Sequence, residues 1–300
     1  MTNTKLNENF KKDGLGAALG PLSSHRALVF GGSGLIGNNL VPLLDCAAPS
    51  SRECDIRDFD ETSCYIRDYK PTLVINLAGQ SNYKLASESY DLNVNGVRNI
   101  CYALSTFCGG AKFFQAGSIN QVLKPADEYS IQKGKAEKIA LSYSRILDVT
   151  IARLCTVEDR FRGQFIVSQI VKGVSDYANY KTKFTIDDFG AKKWVCSASD
   201  LCGSIVRSCE EGEAGTFYFG PELPVSLDEI FCAACSCFEI NVTKIGKTWM
   251  DADTGRPVAT SKNNSNNSNL YSFGKPSGGK FIQSSLPEII RSIAVSVDLS

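Results

Sequence analysis

Apolar and polar positions follow two rhythms along this chain. Ala27–Phe30, Thr72–Leu77, Ala111–Gln115 and Val149–Leu154 are short, apolar runs rich in Val, Ile and Phe. Such runs, bounded by turn formers or charges, predict strands buried on both faces. Between them, apolar residues recur every three or four positions, the spacing of a helix with one buried face. This predicts helices from the Gly31–Gly37 segment to about Asp45, from Asp58 to Tyr69, over Ser87–Leu104 and over Tyr129–Ser144. Pro42 lies past the first turn of the first helix, which is therefore expected to be short or kinked. Lys70-Pro71 stops the second. Strands alternating with helices of this length predict an α/β fold, a doubly wound parallel sheet covered on both faces.

The rhythm loosens after Leu154. Helices are predicted over Phe165–Tyr177, Ser199–Glu210 (Asp200 near its start), Ser226–Phe238 and Leu286–Val297, and strands over Phe184–Phe189 and Thr216–Phe219. Asn263–Asn269 is rich in Asn and Ser and reads as a solvated loop. Residues 1–24, glycine-rich and without periodicity, read as a flexible tail. Residues 25–155, with 195–220 returning to them, are expected to form the sheet domain. Residues 156–194 and 221–300 are expected to form a smaller lobe over the sheet's C-terminal edge.

Composition narrows the function. The 300 residues are 43% hydrophobic, enough for a large core. Lys and Arg balance Asp and Glu at 32 each, and no long basic run occurs. That argues against nucleic acid or an anionic membrane as partner. No apolar stretch is long enough to span a bilayer, and Met1–Gly14 lacks the apolar region of a secretory signal. A cytoplasmic protein is expected. The twelve cysteines are scattered and read as free thiols. Cys232-Ala-Ala-Cys235 has metal-like spacing but no second such pair, and the one histidine is His25, so no metal is expected. The lone histidine also removes Ser-His-Asp and Cys-His chemistry.

Two strings carry the chemistry. Gly31-Gly32-Ser33-Gly34-Leu35-Ile36-Gly37 follows the first predicted strand. Three glycines at three-residue spacing let the backbone approach a phosphate pair and present its N–H groups to it. The second string is Tyr129-Ser130-Ile131-Gln132-Lys133, with Ser118 upstream. A lysine four residues after a tyrosine shares its helical face. Its ammonium stabilises phenolate and so lowers the phenol's pKa. With a serine hydroxyl to polarise the substrate oxygen, Tyr129 becomes the acid or base of a hydride transfer. An acid about 20 residues after the cradle would hold a ribose 2′-hydroxyl. The segment before Asp55 is too short for a second βα unit, so Asp55-Ile56 is expected to end a strand and contact the adenine. Ser51 and Arg52 nearby suit a 2′-phosphate, which leans toward NADP, with NAD possible; a solvated loop arginine is the alternative.

In this order the strings resemble the extended short-chain dehydrogenase/reductases. The resemblance rests on Gly31-x-x-Gly34-x-x-Gly37, Asp55-Ile56, Asn76-Leu77-Ala78-Gly79, Asn93-Val94-Asn95-Gly96, Ser118 and Tyr129-x-x-x-Lys133, and covers residues 27–154. It implies a seven-stranded Rossmann sheet, bound NAD(P) touching Ser33, Leu35, Ile36, Leu77, Ala78, Gly79 and Asn93, and a C-terminal nucleotide-sugar lobe. It also implies a homodimer through the helices near Ser87–Leu104 and Tyr129–Ser144. Ala78-Gly79-Gln80-Ser81, and Arg153-Leu154 through Glu158, Arg162, Gly163 and Phe165, resemble GDP-mannose dehydratases and related GDP-sugar reductases. Arg256-Pro257 onward looks more like dTDP-4-dehydrorhamnose reductases. Gln80, Ser81, Thr156, Arg162, Lys193 and Arg256 are the implied substrate contacts.

The departures select among reactions. The dehydratases carry Thr/Ser-x-Glu, whose glutamate removes a proton; here Ser118-Ile119-Asn120 stands, and an amide is no base. Asn120 can still orient a hydroxyl. The Ser118–Tyr129 stretch is short, Thr156 replaces an asparagine, and Trp194 replaces an acid after Lys193. The expectation is a 4-keto nucleotide-sugar reductase. A 4-epimerase, a 4,6-dehydratase and a non-catalytic NADP-binding subunit are the alternatives.

Overall fold

The computed structural model describes residues 21–80, 89–123, 126–159, 165–262 and 279–297. After a 3-10 turn at Pro21–Ser24 come β1 (Ala27–Phe30), α1 (Leu35–Leu40), a 3-10 turn at Val41–Leu43, β2 (Cys46–Ala47), α2 (Phe59–Tyr69) and β3 (Leu73–Asn76). A wide i→i+5 turn at Asp91–Asn95 opens α3 (Gly96–Phe107), followed by β4 (Lys112–Ser118), the single turn α4 (Asn120–Leu123), α5 (Glu128–Ser142) and β5 (Asp148–Leu154). Then come β6 (Thr156–Glu158), α6 (Ile166–Tyr180), β7 (Phe184–Ile186), β8 (Lys192–Lys193), β9 (Val195–Ser197), α7 (Ala198–Glu211) and β10 (Gly215–Gly220). The chain continues through β11 (Val225–Ser226), α8 (Leu227–Cys237), β12 (Val242–Ile245), β13 (Thr248–Asp251), β14 (Pro257–Ser261), β15 (Gly279–Phe281) and α9 (Leu286–Val297).

Seven strands make one sheet in the order β15-β10-β5-β4-β3-β1-β2, every pair parallel. This is the Rossmann-type doubly wound α/β sheet that the alternating runs predict. β1 and β3 are buried at every position because both faces are covered. On one face Leu28, Phe30, Val74, Phe113 and Val149 pack against Ile66, Val97, Ile100, Leu104 and Ala136 of α2, α3 and α5. On the other, Val29, Ile75, Phe114 and Ala152 pack against Leu40, Leu201, Cys202 and Ile205 of α1 and α7. A third cluster joins Val167, Ile170 and Val174 of α6 to Ile230 and Phe231 of α8, Val258 of β14 and Ile290 of α9.

Local chemistry explains the element ends. Asp58 and Asp127 cap α2 and α5 by accepting the N–H of Glu61 and Ser130. Ser226 and Glu229 form a reciprocal capping box on α8. Pro42 ends α1 after six residues and leaves a 3-10 turn.

Three features differ from the pattern reading. Asp55-Ile56 does not end a strand: β2 is the two residues Cys46–Ala47, and the Asp55 carbonyl accepts the Asp58 N–H in a turn that leads into α2. β12, β13 and β14 with β7 form a four-stranded sheet that the loosened pattern does not reveal. Gly279–Phe281, assigned with the lobe, instead pairs with β10 and extends the main sheet. Residues 1–20 of the expected tail and the Asn263–Asn269 segment lie outside the described residues.

Candidate active site

The order of strands reverses beside β1, with β2 on one side and β3 on the other. A doubly wound sheet opens a crevice at that point, beyond the C-terminal ends of the strands. Here it is a cleft of about 430 Å³, walled by the β1–α1 turn, the end of β3, the end of β4, α5 and the β5–β6 connection. That volume falls within the ~300–1,000 Å³ of small-molecule sites.

The β1–α1 turn is tight. Gly31 has φ +80°, and a Cβ there would sit 2.5 Å from the Ala78 nitrogen. A Cβ on Gly37 would strike the carbonyl oxygens of Gly31 and Gly32. Only glycine permits both approaches, so the first glycine presses the turn against β3 and the third presses α1 against the turn. Gly34 lies between them, its N–H donating to the Gly31 carbonyl at 3.0 Å. The turn therefore presents bare backbone to the cleft, as a cradle for a diphosphate requires. The residues present fit a dinucleotide.

The catalytic string lies across the cleft. Ser118 ends β4, 8% exposed, and its Oγ accepts the Asn120 N–H at 3.2 Å. That bond occupies a lone pair and leaves the hydroxyl proton to donate. Tyr129 and Lys133 line the same cleft from the first two turns of α5. The Lys133 Nζ is 5.8 Å from the centre of the Tyr129 ring and donates to the Ala116 carbonyl at 3.2 Å. Burial of the ammonium pulls its pKa down from 10.5 to about 8.

Of the residues singled out in the sequence, the cleft gathers Gly31, Gly34, Leu35, Ile36, Gly37, Leu77, Gly79, Ser118, Asn120, Tyr129, Lys133 and Thr156. Lys193 borders a smaller adjoining cavity with Asn120, Thr156, Lys192 and Trp194. The remainder are elsewhere. Ser33 is exposed, its carbonyl accepting the Asn38 amide. Ala78 packs on Gly31 and donates its N–H to the Asn76 side chain. Asn93 is buried, holding the Gln80 backbone N–H and carbonyl and donating to the Gln132 amide, so both Asn93 and Gln80 shape the β3 loop from behind. Arg52 is exposed in the turn after β2. The Arg57 guanidinium engages the Asp55 carboxylate at 2.6 Å and holds its pKa below the ordinary value. Ile56 is buried against Gly96. Arg256 lies between β13 and β14, its carbonyl accepting the Asp251 N–H, and reaches neither cavity. Ser81 and Arg162 lie outside the described residues.

The site also uses residues not expected as contacts, although Arg153 and Phe165 stand in the resembled segment. Phe165 and Val157 line the cleft, and Gln121 accepts the Ser118 N–H at 2.8 Å. The Gln121 amide donates to Glu137, which Arg153 grips through both oxygens. Glu137 follows Lys133 by four residues, so extending the Tyr129–Lys133 stripe one turn would have found it. Among the described residues, no cluster of His, Cys, Asp and Glu could hold a metal ion, and no helix is long and apolar enough to cross a membrane.

Known proteins place this geometry in context. The model of the NAD-dependent epimerase/dehydratase family matches residues 27–215. No curated protein matches in sequence. Among solved structures, RMD from Pseudomonas aeruginosa complexed with NADPH superposes with a TM-score of 0.71 at 15% identity, covering 92% of this chain and 100% of that one. A dTDP-4-dehydrorhamnose reductase from Bacillus anthracis in complex with NADP gives 0.64 at 15% identity, over 90% and 98%. The Bordetella bronchiseptica enzyme WbmG in complex with NAD and UDP gives 0.65 at 16% identity, over 92% and 95%.

Proposed function

Because the chain belongs to the NAD-dependent epimerase/dehydratase family, we propose that it is an NAD(P)H-dependent reductase of a 4-keto, 6-deoxy nucleotide sugar. The observation that carries this reading is one cleft holding the glycine cradle, Ser118, Tyr129 and Lys133, with an amide, Asn120, beside them.

The backbone of the Gly31–Gly37 turn would hold NAD(P)H, which would supply the hydride. Ser118 donates a hydrogen bond to the C4 carbonyl oxygen and polarises it. Tyr129 gives its phenolic proton to that oxygen, so the ketone becomes a carbinol and the tyrosine a phenolate. The buried Lys133 ammonium stabilises the phenolate, and solvent returns the proton. Electrostatic help of this kind is strong in a site shielded from water. Asn120 cannot remove the C5 proton, which disfavours dehydration. The solved complexes with NADPH, NADP, NAD and UDP support the cofactor class and a nucleotide-linked substrate. Thr156 and Lys193 serve as substrate contacts in this reading, and exposed Arg52 favours NADP. Half-exposed Tyr102 of α3, with Phe107 and Ile131, supports a homodimer through α3 and α5.

The test is the loss of NADPH or NADH absorbance with a panel of 4-keto-6-deoxy GDP-, dTDP- and UDP-sugars. Stoichiometric oxidation with one sugar is expected. Sugar conversion without net cofactor oxidation would instead identify a 4-epimerase, which needs the same three side chains. Tight cofactor binding with no sugar converted would overturn both.

A further inference from the structure

β3 and β4 pair only as far as Asn76 opposite Gln115. Beyond that point the chain after β3 parts from β4 while staying with β1, Leu77 donating its N–H to the Phe30 carbonyl at 2.9 Å. This divergence opens the cleft, and it strips β4 of a neighbour along one edge. The backbone groups left there need other partners, because a buried peptide group without one is costly. Ile119 faces the intact side, its N–H donating to the Leu154 carbonyl at 2.9 Å. On the vacated side three side chains stand in for β3, the first being Gln115, whose Nε2 donates to the Ala116 carbonyl at 2.9 Å. Lys133 donates to the Ala116 carbonyl at 3.2 Å, and Gln121 accepts the Ser118 N–H at 2.8 Å.

The Gln121 amide is itself fixed. Its Nε2 donates to Glu137 at 2.8 Å, and Arg153 of β5 closes the array with contacts of 3.0 and 2.6 Å to the two Glu137 oxygens. Glu137 is 8% exposed. The amide cannot flip without turning its NH₂ toward the Ser118 N–H and its carbonyl toward the carboxylate. Gly117 leaves room for this: a Cβ there would sit 2.9 Å from the Gln121 oxygen.

We propose that Gln121 is a positioning residue for Ser118, replacing the lost strand and anchoring β4 to α5 and β5 through Glu137 and Arg153. This rests on the reading above that Ser118 polarises the substrate carbonyl. The bond fixes the Ser118 backbone, and so the direction of its hydroxyl. The same array ties that hydroxyl to α5, the helix that carries Tyr129 and Lys133. Misplacing a reacting group by about 1 Å can cost on the order of a hundredfold in rate.

Two readouts on Gln121→Leu test it. The first is amide hydrogen exchange, which needs no substrate. Ser118 exchange is expected to rise at least about tenfold, with Ile119 as the unaffected internal control. The second is turnover. kcat is expected to fall about ten- to a hundredfold, while KM for the sugar and the Kd for NADPH change less than about threefold. Gln121→Asn, which keeps the amide but is one carbon too short to span both partners, should behave alike and replaces the leucine variant if that fails to fold. Unchanged Ser118 exchange, or raised exchange with wild-type kcat, overturns the proposal. If the unmodified protein converts no sugar, the functional reading fails on its own, and the exchange experiment still decides whether Gln121 holds β4.

Discussion

Lys133 is buried with a pKa near 8, and that one number gives the site a pH signature. Its folded pKa lies below the ordinary lysine value, so the ammonium persists below about 8 and is lost above it. Reduction needs that charge to stabilise the Tyr129 phenolate. The rate at saturating sugar is therefore expected to fall as pH rises through about 8, as a pH–kcat profile would reveal. Tyr129→Phe should lower kcat by at least about a hundredfold, the usual scale of general-acid catalysis, while NADPH titration gives a nearly unchanged Kd. Tyr129 and Lys133 were legible as a pair because four-residue spacing on a helix is a local fact, and Ser118 because it ends a plain buried strand. Arg256 was misplaced for the opposite reason. Its position depends on how β13 and β14 pair within the lobe, and no local spacing reports that. The strand end expected at Asp55-Ile56 was misread because the chain turns there, the Asp55 carbonyl accepting the Asp58 N–H.

At the scale of elements, short strands were the illegible part. β2 has two residues, and β12 to β14 are short strands that mix polar and apolar positions without sustained alternation. β1, β3, β4 and β5, buried on both faces, were plain. The β1–α1 turn predicts the result of a single methyl group. Gly37→Ala places a Cβ against the Gly31 and Gly32 carbonyls, so α1 must move off the turn. NADPH affinity measured by fluorescence should drop at least about tenfold. α6 carries a different liability. Glu158 is almost wholly buried, accepting the Val167 N–H and the Ser168 hydroxyl at the start of α6. Desolvation raises its pKa from 4.5 to about 7. A raised carboxylate pKa favours the protonated folded state. That stabilisation is complete below about 4.5 and is lost as pH rises through about 7, by up to about 3 kcal/mol. Glu158→Gln should melt higher than the unmodified protein at pH 8 and close to it at pH 5 in thermal denaturation.

Across the whole molecule, cofactor binding and stability are linked. A ligand at a hundred times its Kd stabilises the folded state by about 2.7 kcal/mol. The preferred nicotinamide cofactor should therefore raise Tm by several degrees in differential scanning fluorimetry, and the less preferred one by less at equal concentration. If Arg52 binds a 2′-phosphate, Arg52→Glu should shrink the NADPH shift and spare the NADH shift. The parallel sheet was legible because strand and helix alternate along half the chain, while its count of seven strands came from the resemblance. The return of residues 279–281 to its edge was not legible, since β15 finds its partner sixty residues upstream. That return bears on synthesis. β15 closes the sheet edge beside β10, and α9 covers α6 and α8 in the lobe core, so neither is complete until residues 279–297 have left the ribosome. A nascent chain halted before Gly279 carries an open β10 edge and a bare apolar lobe face, the features that recruit holding chaperones.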